Sequence, residues 1–406
     1  MSDDTTTLGS MIRGWCNLWG WPYSERMSLV TWGTGYMSPA PDGIKITIDN
    51  QEWGWDNARN FYYLALTSPS SLDRETNFAN SFNAMGQVLH LIEDGAQPGH
   101  VRNDFTSHLT YTGIELSPPW RWFGSQFEHY VKNHPGLVAS AEPVKPIFAN
   151  ARLTDFWDTD QYVETNPPQF NDLTVGITEF TNANYFSDST IPNNSPTPGH
   201  TFPYPQVNST NARICTDYIP GTTEIRKYIS RSGNACPDLN NPNQIGKGDH
   251  FATTSFLNED NLITDANISN LRLWLDENVH NAYAKELLPR AVGYSAALID
   301  YFFRGKMDFV LDEGDHGDGR TGIKVYNLMD EKMEGTFSLY YDDPDGNRHP
   351  LASWNLLLIP HGTSEPLGFT YPDNNTEEHR YILVFQGRMG MEQGAVAGYI
   401  PWCGVA

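Results

Sequence analysis

The chain has 406 residues and a formal net charge of −23 at pH 7, from 26 Lys and Arg against 49 Asp and Glu. A hydrophobic share of 39% is ordinary for a globular protein, so a largely disordered chain is excluded, and the length fits two or three domains. The acidic balance excludes a broad phosphate-binding surface; no extended nucleic-acid interface is expected, although bound cations can still hold a single phosphodiester.

Residues 1–50 are rich in Trp, Gly and Pro and show little helical period. The opening Met1-Ser-Asp-Asp-Thr-Thr-Thr has neither a basic region nor an apolar one, so it does not read as a signal peptide. No run of about 18 apolar residues occurs, so no membrane-spanning helix is predicted. From Asp56 the pattern turns helical. Ala58, Phe61, Tyr62, Ala65 and Leu66 mark one amphipathic helix, which Ser68-Pro69-Ser70-Ser71 interrupts. Phe78, Phe82, Met85, Val88, Leu89 and Ile92 mark a second, ended by Gly95 and Pro98. Further helices are predicted near 124–131 and 170–186.

Residues 187–265 are dense in Asn, Pro, Ser, Thr and Gly and read as a loop-rich insertion. Four cysteines, Cys16, Cys215, Cys236 and Cys403, allow three pairings. Cys215 and Cys236 both lie in this insertion, where a disulfide would close a loop. No CxxC occurs, which excludes a redox motif or zinc ribbon of that type. With the many Asn, Thr, Tyr and Trp, this predicts an exported protein, extracellular or periplasmic, whose leader is not in the sequence.

Residues 267–305 return to helix, and after Gly305 the period becomes two. Ile323–Tyr326, Thr336–Tyr341, Trp354–Ile359 and Tyr381–Phe385 read as strands, with Asp342-Asp-Pro-Asp-Gly346 as a turn. The predicted architecture is multidomain α plus β: an all-α domain over 1–310 carrying the insertion, then a small β-sandwich over 311–406. Asp312–Gly319 is acidic and Gly-rich but lacks the EF-hand spacing, so it reads as a linker. Trp15, Trp19, Trp21, Trp32, Trp53 and Trp55 read as local core. No Gly-x-Ser-x-Gly elbow, P-loop or dinucleotide fingerprint occurs.

Chemistry concentrates at His90-Leu-Ile-Glu-Asp94-Gly-Ala-Gln-Pro-Gly-His100, an H-x3-D-x5-H. His90 and Asp94 are one helical turn apart and share a face; Gly95 and Pro98 fold the chain back so that His100 can join them. Imidazole nitrogen and carboxylate oxygen are zinc ligands, and a carboxylate can bridge two cations. Glu128 is a fourth candidate, and Asp104 and His108 are further ligands or partners that orient a ligand His.

The segment Phe82–Asp104 that holds this motif resembles the metal-binding helix and return of the zinc-dependent phospholipase C family and its single-strand-specific nuclease relatives. It is most similar to a bacterial branch with a C-terminal β part. Trp53-Gly-Trp-Asp-Asn-Ala-Arg59, Glu179–Ser187 and Leu288–Arg304 share the likeness. The resemblance implies a helical domain with up to three zinc ions that activate water for attack on a phosphodiester. His90 and Asp94 would ligate, Asp94 bridging two ions and acting in catalysis, and His100 and Glu128 would bind another. The sequence departs from the family in three ways. No His precedes His90, so the family's N-terminal ligands have no counterpart. The Asp and His expected before the second helix are unmatched, with Asp42, Asp49 and Asp56 the nearest acids. Gly124 stands where the family has His ahead of Glu128, leaving His108 as a substitute. The implied function is zinc-dependent phosphodiester hydrolysis, phospholipase C-like ahead of nuclease, with a phospholipid substrate and contact with a membrane surface. The alternative is a non-catalytic secreted scaffold or binding protein with an incomplete site.

Overall fold

The computed structural model describes residues 29–36, 52–102, 104, 125–162, 165–188, 190–191, 203–219, 221–233, 236, 246–254, 273–312, 321–370 and 380–400. Asp42, Asp49, His108, Cys16, Cys403, the first three Trp of the cluster and most of 312–319 lie outside the described residues. The fold is mixed α plus β.

A short helix α1 (Leu29–Thr34) precedes a helical hairpin, α2 (Trp55–Thr67) and α3 (Ser71–Gly95). Ser70 caps α3 by accepting from the Asp73 amide, and the Ser81 hydroxyl donates to Ala58 O at 3.0 Å across the hairpin. Both helices follow the predicted periodicity, with Ala58, Ala65, Leu66, Met85, Val88 and Ile92 buried. Phe78 and Phe82 differ. They lie on the predicted face yet remain exposed, because they stack with Tyr62 and Phe303 at the rim of the core. The helix predicted over 170–186 contracts to α7 (Ile177–Asn184), every residue of which is buried. The last long helix, α8 (Glu277–Phe302), is capped by Asp276, and it carries Pro289 without ending. One core joins these helices through Trp55, Trp157, Phe180, Tyr283, Leu287 and Tyr294. Trp53 packs against it, so the core prediction holds for Trp53 and Trp55.

The stretch read as loop-rich contains strands. β1 (Thr165–Asn166) and β2 (Tyr204–Pro205) pair in parallel. β3 (Arg213–Tyr218), β4 (Ile225–Ser230), β5 (Ala252–Thr254) and β6 (Leu273–Trp274) form an antiparallel sheet in that order. The first 310 residues are therefore not built of helices alone. Strands of two to six residues among Asn, Ser and Gly carry too short an alternation to stand out, and Leu273, read as helix, belongs to β6. The disulfide joins Cys215 to Cys236, one of the three open pairings.

After α8 come β7 (Met307–Asp312), β8 (Thr321–Asn327), β9 (Met333–Asp342), β10 (Arg348–Leu358), β11 (Leu367–Phe369), β12 (Arg380–Met389) and β13 (Glu392–Tyr399). They make two antiparallel sheets, β10-β9-β12-β13 and β11-β8-β7. All four predicted strands are present. Gly346 closes the β9–β10 turn with φ +82°, a conformation that costs glycine little. Phe309 and Val325 from one sheet pack with Phe337, Leu383 and Phe385 from the other.

The helices meet the C-terminal strands through a buried charge knot. Arg59 of α2 donates to both Glu392 carboxylate oxygens, at 2.8 and 3.0 Å, and Arg304 donates to Oε2 at 2.5 Å. The Trp55 indole N–H donates to Oε1 at 2.7 Å, and Arg59 also reaches Phe302 O at 2.6 Å. Two motif stretches that carried the family resemblance, Trp53–Arg59 and Leu288–Arg304, thus build this joint.

Candidate functional site

The last turns of α3 carry His90 and Asp94, on one face as their spacing requires. The helix stops at Gly95, where a Cβ would stand 2.7 Å from the Ile177 side chain; glycine lets the end of α3 sit directly on α7. Pro98 does not merely terminate the helix. It opens a short helix α4 (Pro98–Val101), at a position where its missing N–H costs nothing. Gln97 caps α4, its side-chain oxygen accepting from the amides of Gly99 and His100. Its side-chain nitrogen donates to Ser125 Oγ at 2.6 Å.

Ser125 is the cap of α5 (Gln126–Asn133), which α6 (Pro135–Ala139) follows. Ser125 and Glu128 form a capping box: Glu128 N donates to Ser125 Oγ at 3.3 Å, and Ser125 N donates to Glu128 Oε2 at 2.5 Å. Gln97 therefore ties the return after α3 to the cap that holds Glu128. The outcome is a line of four titratable groups. His100 Nδ1 lies 2.8 Å from Asp94 Oδ1, and His100 Nε2 lies 3.4 Å from Glu128 Oε1. His90 Nε2 lies 3.8 Å from Asp94 Oδ2, and its Nδ1 3.8 Å from Glu93. His90 is 65% exposed, against 18% for Asp94, 29% for His100 and 35% for Glu128, so the line is most open to solvent at His90.

Burial works to lower the His100 pKa, but hydrogen bonds to Asp94 and Glu128 and the charges of both outweigh it and raise it to about 9. In this arrangement both ring nitrogens face a carboxylate, as for an imidazolium clamped between two anions.

Of the sequence candidates, His90, Asp94, His100 and Glu128 come together. Asp104 does not join the line. It is buried behind the return, its amide donating to Gly99 O at 2.8 Å. Asp56 sits exposed in the first turn of α2, where a carboxylate complements the helix dipole. Two residues were missed by the sequence reading, Gln97 and Ser125. The Ser125-Gln-Phe-Glu128 spacing is itself a capping-box signature and announces that Glu128 points back to the helix start. No comparable pattern marks Gln97.

The four residues supply two imidazoles and two carboxylates, a donor set that suits zinc in kind. Their arrangement is a chain of ion pairs; among the described residues no group of three or more His, Cys, Asp or Glu is disposed to hold a metal ion. Among the described residues, too, no helix is long and apolar enough to cross a membrane. Comparison of the chain with known protein families, with curated proteins and with solved structures returned no match.

Proposed function

We propose that the protein is a zinc-dependent phosphodiester hydrolase, phospholipase C-like in substrate, exported, and working at a phospholipid surface. The observation that carries this reading is the convergence of Asp94, His100 and Glu128 on one another, 2.8 and 3.4 Å apart across His100, from three separate elements. Sequence separation alone does not require it. His90, Asp94, His100 and Glu128 are the residues that would hold zinc. Bound zinc supplies a Lewis acid and a water whose pKa falls toward 7.

The chain's own groups have distinct tasks. Asp94 fixes the ring orientation of His100 through Nδ1. Gln97 and Ser125 hold Glu128 in place from behind, as partners outside a ligand shell commonly do. The proton that His100 holds between its two carboxylates must leave before the imidazole can ligate, so metal uptake releases protons. We also read the two C-terminal sheets as a β-sandwich accessory module, supported by their shared core. The helical region before it serves as the catalytic part.

A second reading has its own support. Because His90, Asp94, His100 and Glu128 already pair with one another, a non-catalytic binding scaffold accounts for the same four residues as a structural ion-pair chain. Elemental mass spectrometry on protein purified without chelator separates the two. The hydrolase reading expects one to three zinc per chain and turnover of a chromogenic phosphocholine ester above that of single-stranded DNA. Asp94→Ala and His90→Ala should each lower zinc content, and Asp94→Ala should reduce turnover at least ~100-fold. No zinc at saturating concentration, or full turnover in Asp94→Ala, sinks the reading. Turnover of DNA above the ester turns the substrate class to nucleic acid.

A further inference from the structure

Large apolar side chains in solvent are ordinary one at a time, but a contiguous group of them marks a contact surface. One such group lies on α3 and the end of α8. Phe82 is 56% exposed, Phe303 and Ile299 38% each, and Phe78 36%. The Phe78 and Phe82 rings stack at 6.3 Å, Phe82 and Phe303 stand 6.1 Å apart, and Ile299 lies one helical turn before Phe303. Tyr62 of α2 supports this ledge from within, its ring 5.9 Å from Phe78 and 5.5 Å from Phe303.

The ledge is set in an uncharged face. From Thr76 to Leu89, α3 holds no Asp, Glu, Lys, Arg or His, and besides the rings its exposed positions there are Thr76, Ala79, Asn83, Gly86 and Gln87. From Ala291 to Ile299, α8 is likewise free of charge. On a chain of net charge −23, such a face suits a partner without net charge. An anionic surface would be repelled by the rest of the chain, and a cationic one would find no carboxylate here. A second copy would bring its own −23 close to the first.

The face also has a direction. Phe82, Gly86 and His90 follow at four-residue steps, so the ledge and the exposed end of the His90–Glu128 line share one side of α3. The helical rise sets Phe82 about 12 Å from His90 along the axis. The headgroup layer of a bilayer leaflet is about 5–8 Å deep, so an inclined α3 with its rings at the acyl boundary holds His90 among the headgroups.

We propose that Phe78, Phe82, Ile299 and Phe303 form the surface by which the protein docks on a net-neutral, zwitterionic phospholipid layer, with His90 turned to the headgroups. The choice of a lipid rests on the hydrolase reading, since the candidate phosphodiester site lies at the end of the same face.

Sedimentation of the full chain with phosphatidylcholine vesicles tests this. The protein should bind, and adding phosphatidylserine to the vesicles should weaken binding. Phe82→Ser and Phe303→Ser should each weaken it about tenfold, as loss of one buried ring does. Gly86→Glu should do the same by placing a charge on the face. A Cβ at Gly86 meets nothing within 4 Å, and glutamate is a better helix former than glycine, so this variant keeps the fold. Turnover of a soluble chromogenic phosphocholine ester should be unchanged in Phe82→Ser, and circular dichroism establishes that each variant is folded. No binding by the unmodified chain, undiminished binding in the folded variants, or tighter binding to phosphatidylserine overturns the proposal. So does a dimer on gel filtration that Gly86→Glu splits, because a second copy would then cover the ledge. Vesicle binding that the variants lose, in a chain that turns over no ester, upholds the ledge and sinks only the hydrolase reading.

Discussion

Two charge clusters in this molecule are both built around carboxylates and behave in opposite ways. Around Glu392, one carboxylate meets two guanidiniums and an indole N–H, and Glu392 and Arg59 are 2 and 3% exposed. Burial alone would raise the Glu392 pKa; Arg59 and Arg304 outweigh it and hold the carboxyl below its ordinary value. Around His100, two carboxylates share one half-buried ring, and a second imidazole extends into solvent. The first cluster has a donor for each acceptor and no room to rearrange. The second leans on a proton for its cohesion, so it can give up that proton and accept something else. A polar network satisfied by fixed charges rigidifies the elements it joins.

The sharpest way to break this contrast is Glu392→Ala. It leaves Arg59 and Arg304 buried without their counter-charge and should cost about 3–5 kcal/mol in urea unfolding, as removal of one partner from a buried pair does. A cost below ~1 kcal/mol would mean that the knot is solvated in solution. Next in size is a difference in pH response between two buried glutamates. Glu179 is pushed up to about 7, by burial first and then by the charge of Asp158. A carboxyl raised above its unfolded value of 4.5 binds its proton more tightly when folded. Its contribution is complete below about pH 4.5 and is lost as pH climbs toward 7. Glu392, with its pKa lowered, works the other way and loses its contribution as pH falls below the ordinary carboxyl range. Unfolding free energy measured from pH 4 to 8 should therefore fall less steeply in Glu179→Gln than in the unsubstituted chain. Parallel curves would count against the raised value. The smallest effect is expected at the site itself. Asp94→Asn should change stability in the metal-free protein by less than about 1 kcal/mol, as partly exposed ion pairs do, while reducing zinc uptake. A loss as large as that of Glu392→Ala would make the His100 line a structural element after all.

How much of this was legible beforehand follows from how local each signal is. The α2–α3 hairpin and the strands β8, β9, β10 and β12 announce themselves through apolar periods of several repeats. The sheet β3-β4-β5-β6 does not, because its strands are only two to six residues long. His90, Asp94 and His100 were readable because one helical turn and one Gly-Pro return bring them together. Glu128 was readable through the family resemblance, its orientation would have followed from the Ser125 capping box, and Gln97 was not readable at all, since its role depends on a cap 28 residues away. Arg59 and Glu392, 333 positions apart, lie beyond any local pattern.

That separation has a consequence for the order in which the molecule assembles. The α2–α3 hairpin can form from neighbouring residues, but Arg59 waits for a strand near the other end of the chain, and Leu66 for Ile382, Val384 and Val396. Until β12 and β13 arrive, the flank of α2 keeps a guanidinium without its carboxylate and an apolar surface without its cover. Contacts of such long sequence range are slow to close. On a ribosome, the first helices would wait for nearly the whole described chain to be synthesised before the joint that fixes them could shut.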